Sequence, residues 1–105
     1  MSVDLSIKAK RLVEIYETNI TYNLAPMYYK AIDKELGLKK IKGMSCKKAL
    51  PIIENAIKDM IDNKEEYKKL NPKNGWGTYD GLLEKFKEIR NICEDNLDGI
   101  FDMDM

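Results

Sequence analysis

Along the first quarter of the chain the spacing of apolar positions changes from alternation to a helical period. Val3, Leu5 and Ile7 alternate with Asp4 and Ser6, as on a half-buried strand. The polar turn Lys8-Ala9-Lys10-Arg11 leads into Leu12-Val13-Glu14-Ile15-Tyr16-Glu17, a run rich in β-formers. There Val13 and Ile15 share one face, and Glu14 and Tyr16 share the other. The pattern predicts a β-hairpin, although the same apolar residues also fit a short helix. An isolated hairpin is marginal in water, so it must pack on helices from the rest of the chain or pair elsewhere.

From Pro26 onward the period is helical. Proline suits the first turn of a helix, and Ala25, Tyr28, Tyr29, Ile32 and Leu36 then recur on one side, with Gly37 as a stop. A loop is expected from Leu38 to Met44. Ser45 is a candidate cap for a second helix carrying Leu50, Ile53, Ala56, Ile57, Met60 and Ile61, closed by Asn63. Pro51 lies too deep for a first turn, so that helix either starts later than Ser45 or kinks. A short helical piece spans Lys64 to Leu70. After the turn-rich Asn71-Pro72-Lys73-Asn74-Gly75-Trp76-Gly77, Thr78 caps a third main helix with Leu82, Leu83, Phe86, Ile89, Ile92 and Cys93 as its apolar stripe. The acidic tail from Asp98 to Met105 offers Ile100 and Phe101 to the core. The expected fold is α+β: an N-terminal antiparallel β-hairpin packed on three main α-helices plus one short helical piece.

With 105 residues the chain makes one domain, residues 1–105. Apolar content of 44% and charged content of 34% are those of a globular protein, not a disordered one. The net charge of zero argues against general nucleic-acid binding, which needs a positive excess to displace counterions. No segment approaches the roughly 20 apolar residues of a membrane span, and Met1 to Lys10 lacks a signal-peptide core. The expected location is the cytoplasm in which the chain is made. Histidine is absent, which removes the usual acid–base group, zinc ligand and triad member. Cys46 and Cys93 form no metal or redox motif and are expected in the core. Glu14, Glu17, Asp80 and Glu84 are carboxylates without any fixed pairing. No catalytic residue, metal site or cofactor is therefore expected, and the reading is of a non-enzyme.

Two segments concentrate amide, hydroxyl and aromatic groups, the materials of a pocket for a polar small molecule. One is Glu17 to Asn23, with Thr18, Asn19, Thr21 and Asn23. The other is Asn74 to Tyr79, with Asn74, Trp76 and Tyr79. Each has a structural alternative: Thr and Asn cap and turn chains, and a tryptophan between glycines can plug a core. The lysines between Lys30 and Lys48 form the most basic stretch. They suggest either a solvated face or a phosphate site at a helix beginning near Ser45.

The run Thr18-Asn19-Ile20-Thr21-Tyr22-Asn23 with its aromatic-rich sequel Ala25-Pro26-Met27-Tyr28-Tyr29 resembles a largely uncharacterised family of small proteins encoded by phages and prophages. The family mark is T-x-N-I-T-Y-N, and here Thr18 adjoins Asn19 directly. The Gly43 turn, Leu50-Pro51-Ile52-Ile53 and Asp98-Gly99-Ile100-Phe101-Asp102 match too. So does an N-P-x-N-G-W-G-x-Y loop, Asn71 to Tyr79. Longer relatives carry a more extended β region, which leaves the number of strands open. The resemblance implies a host-cytoplasmic protein that works by occupancy. It would sequester a small polar ligand such as a nucleotide-derived immune signal. Alternatively it would inhibit a host defence enzyme through Tyr28, Tyr29, Trp76 and the acidic tail. Exposed strand edges suggest a homodimer.

Overall fold

The computed structural model describes residues 2–9 and 14–104. β1 (Ser2–Lys8) pairs antiparallel with β2 (Glu14–Thr21) on one side and with β3 (Ile100–Asp104) on the other, giving the order β2-β1-β3. β1 is paired on both edges, and its alternate residues Val3, Leu5 and Ile7 are fully buried on one face. Ser2, Asp4, Ser6 and Lys8 therefore project from the opposite, open face. The expected positions Lys10, Arg11, Leu12 and Val13 lie outside the described residues.

The Thr/Asn run is strand as far as Thr21. Leu5 opposes Thr18, Asp4 opposes Asn19, Val3 opposes Ile20 and Ser2 opposes Thr21, so β2 continues to Thr21. Ile20 is wholly buried and anchors that register. At the other end Ile7 pairs with Tyr16 but Lys8 with Glu14. Ile15 is thus an extra residue, a bulge that turns Glu14 onto the open face. β3 is a third strand in place of the expected acidic tail. Phe101 and Met103 are buried, and Asp102 alternates with them outward. Five residues are too few for that alternation to stand out from an acidic terminus.

α1 (Ala25–Ala31) follows a 3-10 turn at Tyr22–Leu24 and stops well before Gly37. Asp33 ends it. Its Oδ2 accepts from the backbone N–H groups of Glu35 (3.0 Å) and Leu36 (2.7 Å), a local competitor to the helical ladder. The expected loop is instead a second 3-10 turn, Gly37–Ile41, which buries Leu38 and Ile41. α2 (Cys46–Asp62) begins at the Ser45 cap, whose Oγ accepts from Lys48 N at 3.2 Å. Pro51 lies inside it on the solvent side, where water can satisfy the carbonyl that proline leaves without a donor. α3 (Lys64–Lys68) is one short turn. α4 (Tyr79–Asp95) is capped by Thr78 Oγ1, which accepts from Gly81 N at 3.0 Å.

The described residues form one core. The inner sheet face meets Leu24, Met27 and Tyr28 around α1, the α2 stripe, Tyr67 of α3, and Leu82, Phe86, Ile89 and Cys93 of α4. Both cysteines are free and buried, and burial pushes both thiols up. Among the described residues no helix is long and apolar enough to cross a membrane.

Candidate functional site

The end of the sheet at Ser2 and Thr21 leaves a groove on the open face. Ser2, Asn19, Thr21, Asn23, Asn74 and Trp76 line it, around a volume of about 440 Å³. Asn19 and Thr21 reach it because alternate residues of β2 share a face. Ser2 joins them as the register partner of Thr21, a neighbour that becomes visible only once the register is known. Asn23 follows in the 3-10 turn.

The loop after α3 comes to this end by two attachments. Asn71 Oδ1 accepts from Tyr79 N at 2.8 Å, which ties the base of the loop to the start of α4. Gly77 lies flat against the other wall: a Cβ there would stand 2.9 Å from Leu24 Cγ and 3.0 Å from Thr21 Cγ2. Its φ of +98° is also one that only glycine adopts freely. Asn74 Oδ1 accepts from Trp76 N at 2.9 Å and shapes the turn between them. Trp76 is 70% exposed, so it does not plug the core.

A chain of amides joins the two segments. Asn74 Nδ2 donates to Asn23 Oδ1 (3.3 Å), and Asn23 Nδ2 donates to Thr21 Oγ1 (3.0 Å). Beside them Asn19 Nδ2 donates to Asp4 Oδ1 (2.6 Å) and Ser2 Oγ (2.7 Å). Each primary amide carries two N–H donors and one carbonyl acceptor, and each hydroxyl one donor. The Asn19 carbonyl therefore remains as an acceptor. One N–H each of Asn23 and Asn74 and the hydroxyl protons of Ser2 and Thr21 remain as donors. Among the described residues the lining holds no charged side chain. Lys85 Nζ, from α4, donates to the backbone carbonyl of Asn19 and steadies the strand from behind.

Two expected members lie elsewhere. Thr18 belongs to the helix-facing side of β2 with Tyr16 and Ile20, one residue out of phase with Asn19. Near it the Tyr16 hydroxyl is buried without a hydrogen-bond partner among the described residues. That burial, ahead of the nearby Glu88 carboxylate, raises its pKa. Tyr79 is 2% exposed, and its hydroxyl donates to the Met60 carbonyl at 2.6 Å; it is a core residue. Of the two readings of the basic stretch, the phosphate site near Ser45 finds no support in the backbone there. Cys46 N donates to Gly99 O (2.7 Å) and Lys47 N to Leu97 O (3.0 Å), so the start of α2 is consumed in holding the approach to β3.

Two further surfaces border this region. Beside the groove, the open sheet face is acidic. Asp4, Glu14, Glu17, Asp102 and Asp104 surround Lys8 there, and Asp4 stands directly opposite Asp104. Lys8 Nζ meets Asp102 Oδ2 at 3.0 Å and, with the Met103 N–H, holds that carboxyl below the usual range. On the other side of the Ser2–Val3 and Thr21–Asn23 segments is a cavity of about 390 Å³ with Val3, Tyr22, Tyr28, Tyr29, Leu38 and Lys39 among its walls. Lys39 of the basic stretch therefore serves this cavity, not the amide groove. No protein-family model, curated protein or solved structure matches the chain.

Proposed function

We propose that the protein binds and sequesters a small polar ligand with a planar ring, of the nucleotide-derived class, in the groove under Trp76. The observation that carries this reading is the bridge from Asn74 to Asn23, which joins segments 51 residues apart and leaves donors and an acceptor turned to one concave site beside an exposed indole. A nucleobase offers what this site lacks. Its face stacks on Trp76, worth roughly 1–3 kcal/mol per base by analogy with single-strand binding. Its edge meets the Asn19 carbonyl and the amide donors of Asn23 and Asn74. An uncharged lining suits the base and sugar and leaves any phosphate to solvent. Because the amides already hold one another, little ordering is needed on binding. The ligand leaves unaltered, which makes the protein a sponge; the phage-family resemblance supplies the setting, a host signal removed by occupancy.

A thermal-shift screen with nucleosides, mononucleotides and cyclic dinucleotides tests this, since a ligand bound only by the folded state raises Tm. A saturable rise is expected, lost in the Trp76→Ala/Asn19→Ala double variant. A rise that survives both substitutions places the site elsewhere.

A second reading, inhibition of a host enzyme by direct docking, is favoured by one observation: the acidic open face, which complements a basic protein surface. Capture of a basic host protein, abolished by Asp4→Lys with Asp104→Lys and unaffected by Trp76→Ala, would select it.

A further inference from the structure

The cavity between α1, the Gly37–Ile41 turn and the start of β1 has the features of a second binding site. Its walls are the rings of Tyr22, Tyr28 and Tyr29 with Val3 and Leu38, and Lys39 brings its charge. Tyr28 and Tyr29 are stacked, centroids 5.6 Å apart and 30° between planes. Gly37 backs both rings at φ +57°. A Cβ there would come within 3.1 Å of Tyr29 Cζ and 3.2 Å of Tyr28 Cδ1, so the aromatic wall is braced by backbone.

Tyr28 is the informative residue. It is almost wholly buried, its exposure being 4%. Two other buried tyrosines have hydroxyl partners: Tyr67 donates to Asp59 and Tyr79 to the Met60 carbonyl. Tyr28 has none among the described residues, and it lines this cavity. Burial, then the neighbouring Tyr29 and Tyr22, push Tyr28 up to about 12, so it remains a hydrogen-bond donor at neutral pH.

From these features we propose that the cavity binds a planar aromatic carboxylate, its ring against the tyrosines and its carboxylate shared by the Tyr28 hydroxyl and Lys39. One ammonium and one phenol match a monoanion. A phosphate dianion calls for more donors than this wall offers. The volume suffices: an apolar cavity of about 150 Å³ holds one benzene ring, so about 390 Å³ holds two fused rings and a carboxylate. The site shares no lining residue with the amide groove, so either assignment can fail without the other.

Titration of the full chain with 2-naphthoate and with uncharged 2-naphthamide, followed by backbone amide NMR, tests the proposal. Naphthoate is expected to shift the amides of Tyr22, Leu38 and Lys39, to leave the Trp76 indole unmoved, and to bind about tenfold tighter than naphthamide. Lys39→Gln should erase that preference. Tyr28→Phe, which keeps the ring and the packing, should weaken naphthoate by a similar factor without lowering Tm. Equal affinity for the two probes, shifts centred on Asn74 and Trp76, or no shift at millimolar naphthoate would overturn it.

Discussion

Trp76 and Tyr79 stand three positions apart and differ in what holds them. Tyr79 opens α4, so helical phase sends its ring inward and its hydroxyl to the Met60 carbonyl. Trp76 lies between two glycines at positive φ, where the chain folds outward. Tyr79→Phe should therefore cost about 0.5–1.5 kcal/mol through one lost buried hydrogen bond, read from the urea midpoint. Trp76→Ala should change stability by no more than about 0.5 kcal/mol, as exposed substitutions do, while removing the stacking surface. Residue type alone singles out both aromatics equally. Whether a given one is core or surface depends on helix phase, which a boundary error of one residue reverses. Thr18 falls outside the groove for the same reason: in a strand, one step changes the face.

At the level of elements, the caps at Ser45 and Thr78 and the apolar stripes of α2 and α4 are legible in the sequence because each has a local cause in side-chain chemistry. The length of α1 is not. Gly37 is a sound stop, but Asp33 captures two backbone donors before the helix reaches it. β3 depends on a partner almost a hundred residues away: its Phe101 pairs with Ile7 of β1. The Asn74–Trp76 loop is held to the sheet at Gly77, and Gly77→Ala should displace it. Clash with Leu24 and Thr21 together with the strained φ predicts a loss of about 1–3 kcal/mol in denaturant unfolding. Ligand binding should fall by more than that stability loss explains, because the groove loses one of its walls.

Across the whole molecule the net charge of zero conceals an uneven distribution, with carboxylates gathered on the open sheet face. Composition reports the sum and not its placement, so this face is legible only once the register is known. The Asp102 carboxyl is held below its ordinary value, first by Lys8, and Asp33 is lowered by the N–H groups of Leu36 and Glu35. A lowered carboxyl contributes stability above its unfolded pKa and loses it as pH falls through the folded value. Acid unfolding below about pH 4 should therefore be shallower in Asp102→Asn and Asp33→Asn than in the parent, as monitored by circular dichroism. The expected homodimer, if built on the edges β2 or β3, must overcome the Ile15 bulge and these carboxylates, both of which discourage edge pairing. Salt screens such repulsion, so light scattering should show association rising with ionic strength.

The groove brings the central claim within reach of one direct measurement. Trp76 is the only tryptophan in the chain, so its emission reports from the groove and nowhere else. Titration with the nucleotide-derived compound giving the largest thermal shift should quench or shift that emission saturably. The same titration on Asn19→Ala/Asn74→Ala, which retains the fluorophore, should show the response lost or its midpoint raised at least tenfold. An unchanged Trp76 signal at a concentration where the compound stabilises the fold, or an equal response from the double variant, would contradict the account.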